Sequence, residues 1–286
     1  MSPPKRVLFI GNRHQVLQAV VEHPALELVT VLAARGSVER FTLLNDLDLS
    51  PNLFDDTDKK RIFESIQKAK FDILVSNGCP FLLPVSSLRK QHQLFLNVHP
   101  SLLPLNRGRH PANGALLNND KEAGSTLHFM DDKADTGRII HQAGFSLTDD
   151  LDLGLLYHLL FKMEARVFTE GIDLLAGHDW KYEGHAQAGR STYYTRDEPD
   201  RLIDHEGMST EEILRRIRAF GHVGQGCRLS LADRTLLLFD ADSVDSSILQ
   251  NEFQSEKPGS IVLEYDQKLL IRTTDGLIRI KRFILE

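Results

Sequence analysis

Asn97 and His99 stand two apart at the end of the apolar run Leu94-Phe95-Leu96, and Asp135 follows thirty-six positions after the histidine. If the run is a strand, residues 97 and 99 point to the same side where the strand leaves its sheet. A carboxamide can polarise a carbonyl, an imidazole can move a proton, and a carboxylate can fix and charge the imidazole. Together they suit acyl transfer to an amine. Asn97, His99 and Asp135 are therefore the candidate catalytic residues.

These groups need a scaffold, and the first half of the chain supplies one. Val7 to Ile10, Leu28 to Ala33, Phe71 to Ser76 and Leu94 to Val98 read as buried strands. Helical patterns over Gln15 to Glu22 and Asp58 to Ala69 lie between them, which implies βαβ units and a parallel sheet. Ligands of such sheets bind beyond the carboxyl ends of the strands, where Asn97 and His99 fall. Gly11-Asn12-Arg13 follows the first strand without the three-glycine dinucleotide fingerprint, so no nicotinamide cofactor is expected. Gly124 to Met130 and Arg138 to Phe145 read as two more strands, which leaves Asp135 on the loop between them. A long helix follows, with Leu153, Leu156, Leu160, Met163 and Val167 forming its apolar stripe.

Residues 178–190 are polar and Gly-rich and read as a linker. Beyond them Ser209-x-x-Glu212 is a capping box that opens a helix bearing Ile213, Ile217 and Phe220. Short strand patterns then run to the end, with turns at Pro258-Gly259, Asp266-Gln267 and Asp275-Gly276.

Composition narrows the class. A chain of 286 residues makes one large or two medium domains. Neither an apolar leader nor a run long enough to span a membrane is visible. The two cysteines, Cys79 and Cys227, lie far apart and suit a reducing compartment, so a cytoplasmic protein is expected. No Cys/His spacing fits zinc, and no metal is expected. The net charge of −6 weighs against a phosphate-backbone binder.

The segment Asn97-Val98-His99-Pro100-Ser101-Leu102-Leu103-Pro104, followed by Arg107-Gly108 and Asp135-Thr136-Gly137, resembles the motif of the folate-dependent formyltransferases. This is the family of glycinamide ribonucleotide transformylase and methionyl-tRNA formyltransferase. Ile217-Arg218-Ala219-Phe220, Pro258-Gly259 and Thr274-Asp275-Gly276 are more weakly similar to the C-terminal domain of the tRNA enzymes, an open OB-like barrel. The resemblance implies an α/β fold: a Rossmann-like parallel-sheet formyltransferase domain over 1–190 and a smaller β-rich, OB-like domain over 191–286. It implies N10-formyltetrahydrofolate as co-substrate. The pterin is expected against the segment 78–84, through Phe81, Leu82 and Leu83, with Leu103 and the loop residues Asp131 and Asp132 beside it. Core packing is the competing account of each residue in 78–84.

The acceptor is a separate question. Arg107-Gly108-Arg109-His110-Pro111 and Gly124-Ser125-Thr126-Leu127-His128 are more similar to sugar N-formyltransferases, which act on nucleotide-linked amino sugars. On that resemblance Asn12, Ser101, Arg107, Arg109 and His110 are the candidate acceptor-binding residues, with an arginine on a phosphate. Gly114 stands where many such enzymes carry Trp. From His205 onward, 11 Lys and Arg face 13 Asp and Glu, a net of −2 that suits tRNA poorly. Arg35 to Asp48 also lacks the basic insertion of the tRNA enzymes. The expected partner is a small-molecule amine, foremost a sugar nucleotide, with no nucleic acid and no membrane; a homodimer is allowed for. N-hydroxyornithine and methionyl-tRNA are alternative acceptors. A formyltetrahydrofolate hydrolase is the alternative class; such enzymes usually carry a preceding regulatory domain, whereas this sequence starts at its first strand.

Overall fold

The computed structural model describes residues 3–35, 51–55, 57–231 and 233–286. Most of the Arg35–Asp48 segment lies outside the described residues. The chain divides into two compact units. One comprises 1–111, 122–146 and 158–194; the other comprises 112–121, 147–157 and 195–286.

In chain order the elements up to the long helix are β1 (Lys5–Gly11), α1 (His14–Glu22), β2 (Leu26–Ala34), β3 (Asn52–Phe54), α2 (Lys59–Lys68), β4 (Ile73–Asn77), α3 (Val85–Leu88), β5 (Leu94–His99), α4 (Pro111–Leu117), β6 (Glu122–Phe129), β7 (Ile139–Ser146) and α5 (Leu153–Gly177). The strands form a seven-stranded sheet in the order β3-β2-β1-β4-β5-β6-β7. Strands β1 to β5 pair in parallel, whereas β6 runs antiparallel to β5 and β7 antiparallel to β6. The sheet is thus mixed rather than purely parallel, because β6 and β7 form a hairpin with no crossover helix between them.

Side-chain alternation sends the strands into two cores. Val7, Phe9, Val75, Leu96 and Val98 pack with α1 and α5, while Leu8, Ile10, Leu74 and Phe95 pack with α2 and α3. Burial on both faces explains why these strands read as unbroken apolar runs. The strand order reverses between β1 and β4, the switch point of a doubly wound sheet.

Residues 178–190 are not a free linker. Trp180 N bonds Leu175 O, and His185 exchanges backbone bonds with Ile139. A polar composition reads as a connector, but this segment bonds to the end of α5 through Trp180 and to the edge strand β7 through His185.

The second unit holds β8 (Leu202–Ile203), α6 (Thr210–Phe220), β9 (Cys227–Ser230), β10 (Thr235–Ser243), α7 (Ser247–Glu252), β11 (Ile261–Tyr265), β12 (Lys268–Arg272) and β13 (Leu277–Leu285). They form a six-stranded sheet, β11-β12-β13-β10-β9-β8, mostly antiparallel. The capping box is formed: Ser209 N donates to Glu212, and Glu212 N donates to Ser209 Oγ. In this unit Asn113 Nδ2 donates to Ala219 O and Gln225 Oε1, so a buried carboxamide ties α4 to the end of α6. Burial pushes the Cys227 thiol up to about 12. Among the described residues no helix is long and apolar enough to cross a membrane, and no group of three or more His, Cys, Asp or Glu is placed to hold a metal ion.

Candidate active site

The three candidate catalytic residues converge. Asn97 and His99 leave the end of β5 on the α2/α3 side, and Asp135 reaches them from the β6–β7 loop. Asn97 Nδ2 lies 3.3 Å from Asp135 Oδ1, and His99 Nδ1 lies 3.5 Å from the same oxygen. Gly108 N donates to Asp135 Oδ2 at 2.9 Å. Asp135 adopts φ 54°, a left-handed conformation that Asp tolerates better than most residues.

His99 is buried, and its Nε2 lies 3.0 Å from Asn106 O. A carbonyl can only accept, so Nε2 carries the proton and the neutral ring presents Nδ1 as its base. Burial holds the imidazole below its ordinary value; Asp135 and the Asn106 carbonyl oppose this, and His128 adds to it. Burial alone would raise the Asp135 carboxyl, but His99 and His128 in their protonated forms and the Gly108 amide outweigh it and hold the group well below the usual carboxylate range. A carboxylate therefore faces the ring nitrogen whose protonation it favours.

His128 completes the group and was not singled out from sequence. Pairing of β5 with β6 sets Asn97 opposite His128. His128 Nδ1 lies 2.7 Å from Phe129 O and so carries the proton; Nε2 accepts from Asn97 Nδ2 at 3.1 Å. Both amide hydrogens of Asn97 thus have inward partners. The signal that could have found His128 is the Leu127-His128-Phe129 alternation opposite the motif strand.

The motif loop is held by β6 and β7. Thr126 Oγ1 donates to Ser101 O at 2.6 Å and accepts from Leu103 N at 3.2 Å, and Gln142 Nε2 donates to Leu103 O at 3.0 Å. Ser101 Oγ donates to Leu105 O, so the one donor of this candidate acceptor ligand is used within its own loop. Arg107 Nη2 bonds Gln187 Oε1 at 2.7 Å. Arg109 is exposed and His110 half-buried just beyond it.

The candidate folate residues divide. Leu83 is 2% exposed and belongs to the core, whereas Leu82 is 62% exposed. Phe81 packs edge-on against Phe54 and Phe63, with ring centroids 5.6 and 6.1 Å away. Leu103 is buried in the motif loop. Asp131 Oδ1 caps its loop through Lys133 N and Thr136 Oγ1, and Asp132 Oδ1 accepts from Ser86 N.

A second polar group lies behind β5. Asn77 Nδ2 donates to Val98 O at 3.0 Å and to Glu164 Oε1 at 2.9 Å. Arg13 Nε lies 3.7 Å from Glu164 Oε2, and its guanidinium stacks 3.9 Å from the Phe161 ring. Asn12 Oδ1, Asn77 Oδ1 and Glu164 Oε2 are buried without hydrogen-bond partners. Burial raises the Glu164 carboxyl to about 7 against the pull of Arg13 and Asn77.

Comparison with known proteins bears on this arrangement. Residues 18–172 match the formyl transferase family model, and 197–286 match that of the formyl transferase C-terminal domain. The chain belongs to the formyltransferase family. It is 40% identical over 112 residues to the methionyl-tRNA formyltransferase of Roseiflexus sp. (strain RS-1), covering 38% of this chain and 34% of that protein. It is 25% identical over 291 aligned positions to that of Pseudothermotoga lettingae, covering 97% of this chain and 90% of the relative. Among formyltransferase-fold structures, an N-formyltransferase from Helicobacter canadensis, in complex with folinic acid and dTDP-3-aminofucose, superposes with a TM-score of 0.70 at 19% identity, covering 98% of this chain and all of that one. HypX from Aquifex aeolicus in complex with tetrahydrofolic acid superposes at 0.69 with 17% identity, but this chain spans only 44% of it.

Proposed function

We propose that this formyltransferase-family chain moves a formyl group from N10-formyltetrahydrofolate to the amine of a small molecule, foremost a nucleotide-linked amino sugar. The observation that carries the chemistry is the placing of His99 Nδ1 against Asp135 with Nε2 anchored on Asn106 O. The acceptor nitrogen attacks the formyl carbon, forming a C–N bond, and negative charge gathers on the formyl oxygen. Asn97 Nδ2 donates to that oxygen; losing one such donor costs about 10²–10³ in rate. His99 Nδ1 takes the proton that the amine sheds, and Asp135 stabilises the resulting imidazolium. The bond from carbon to N10 breaks, and the proton passes to N10. Tetrahydrofolate and the formamide result, and charge balances.

The Helicobacter canadensis complex, which holds a folate and a dTDP-amino sugar, supports this donor and this acceptor class. The net acidic C-terminal unit supports the exclusion of tRNA. A second reading, methionyl-tRNA as acceptor, is favoured by the names of the sequence relatives. A hydrolase would use the same groups with water in place of the amine. Tetrahydrofolate release should be followed with dTDP-, UDP- and GDP-linked amino sugars, N-hydroxyornithine, charged initiator tRNA, and no acceptor. Release that needs an amino sugar is expected. Efficient formylation of tRNA overturns the acceptor assignment, and equal release without acceptor makes the chain a hydrolase.

A further inference from the structure

We propose that residues 185–194 act as a clasp that sets the catalytic geometry, with Gln187 and Thr192 as positioning residues for Asp135 and His99. This goes beyond the transfer reading, on which only its kinetic test rests.

Gln187 is half-buried between exposed neighbours. Its Nε2 donates to Asp135 O at 2.9 Å and to Gly137 O at 2.8 Å. Both donors of one carboxamide are thus spent on the two carbonyls that flank the turn carrying Asp135. Its Oε1 accepts from Arg107 Nη2. One side chain therefore spans the loop that supplies the carboxylate and the loop that supplies its Gly108 amide. With φ at 54°, Asp135 depends on such outside support.

Thr192 acts on the other partner. Its Oγ1 accepts from Asn106 N at 2.7 Å, and its carbonyl accepts from Arg107 N at 3.0 Å. Thr192 N donates to Pro104 O, and Tyr194 N donates to Arg107 O. Asn106 is the residue whose carbonyl holds His99 Nε2. Gly108 shows how close the clasp runs: a Cβ there would strike Tyr194 O and the Tyr193 ring, at a φ of 104°. A merely packed tail would satisfy its own backbone. This one spends two side chains on the backbone that carries a catalytic pair.

The groups facing His99 are Asp135 and the Asn106 carbonyl, which favour its charged form, and His128, which opposes it. Releasing the clasp loosens the first two, so the His99 midpoint falls. The test uses the full chain with ¹⁵N-labelled histidine, titrating His99 by long-range ¹H–¹⁵N NMR in wild type, Gln187→Ala, Gln187→Glu and Thr192→Val, with exposed Gln91→Ala as control. Gln187→Ala is expected to lower the midpoint by about half a pH unit or more. It should lower kcat about tenfold while leaving donor KM within about threefold. Gln187→Glu keeps the length but faces two carbonyls with a carboxylate, and it should do no better. Thr192→Val keeps the volume and removes only the accepting oxygen; it decides the matter should Gln187→Ala fail to fold. A folded variant with an unmoved midpoint overturns the clasp, even where kcat or melting temperature falls. A moved midpoint in a chain whose wild type transfers no formyl group upholds the clasp and overturns the transfer reading instead.

Discussion

His128 Nε2 lies 3.1 Å from the Asn97 carboxamide nitrogen because the two residues are direct partners across antiparallel strands. Neither a loop nor a rotamer search is needed to bring them together; register does it. The ring nitrogen accepts one amide hydrogen while Asp135 accepts the other. The pair thereby fixes which end of the carboxamide, nitrogen rather than oxygen, occupies the inner position.

Asn97→Ala, His99→Ala and Asp135→Ala are each expected to cut turnover by about 10² or more with the fold intact. The three act on one proton and one oxygen, so the triple variant should cost little more than the worst single one. Single-turnover formyl transfer, with circular dichroism for integrity, checks this. A single variant at wild-type rate removes that residue from the mechanism.

His128→Phe is expected to lower kcat by about tenfold with a smaller change in donor KM, because Asn97 loses the acceptor that orients it. The steady-state split between kcat and KM reads this directly. An unchanged kcat would leave Asp135 alone as the orienting partner.

Glu164 predicts a pH dependence of stability. Its folded pKa of about 7 exceeds the ordinary 4.5, so the folded state holds the proton more tightly. Its contribution is present below the unfolded value and is lost as pH rises between about 4.5 and 7, by up to about 3 kcal/mol. Glu164→Gln should flatten that decline and melt higher than wild type at pH 8. Urea unfolding at pH 5 and pH 8 measures it, and a variant no more stable than wild type at pH 8 contradicts it.

Gly137→Ala should destabilise strongly, by about 3 kcal/mol or more. A Cβ at 137 would run into the Phe129 carbonyl oxygen, backbone that cannot step aside. Thermal melting tests this; a shift within a degree of wild type would show that the loop relaxes freely.

The scaffold and the convergence of Asn97, His99 and Asp135 were largely legible in the sequence, and the reasons are physical. Val7 to Ile10, Phe95 and Leu96 are buried, with alternate residues on opposite faces of the sheet, and therefore read as apolar runs. Asn97 and His99 stood out because polar groups at the end of such a run are costly without a role, and Asp135 stood out through its place in Asp135-Thr136-Gly137, in motif spacing from them. Short elements escaped: β3 has three residues and β8 two, too few to show a period. The antiparallel sense of β6 also escaped, since direction leaves no local pattern, and His128 escaped with it. Gln187 looked like one polar residue among many in a polar segment. What distinguishes it is the pair of carbonyls it meets, and those lie 52 and 50 positions away.

That distance has a consequence for how the protein is made. All three triad residues leave the ribosome well before Gln187 does, since Asp135 precedes it by 52 positions. For that interval the nascent chain carries Asn97 and His99 at the end of β5 and Asp135 on a loop that Gln187 does not yet brace, and Asn106 waits equally for Thr192. On the clasp proposal, the order of synthesis separates having the side chains from having them aimed, the second arriving only once residues 185–194 have emerged and docked.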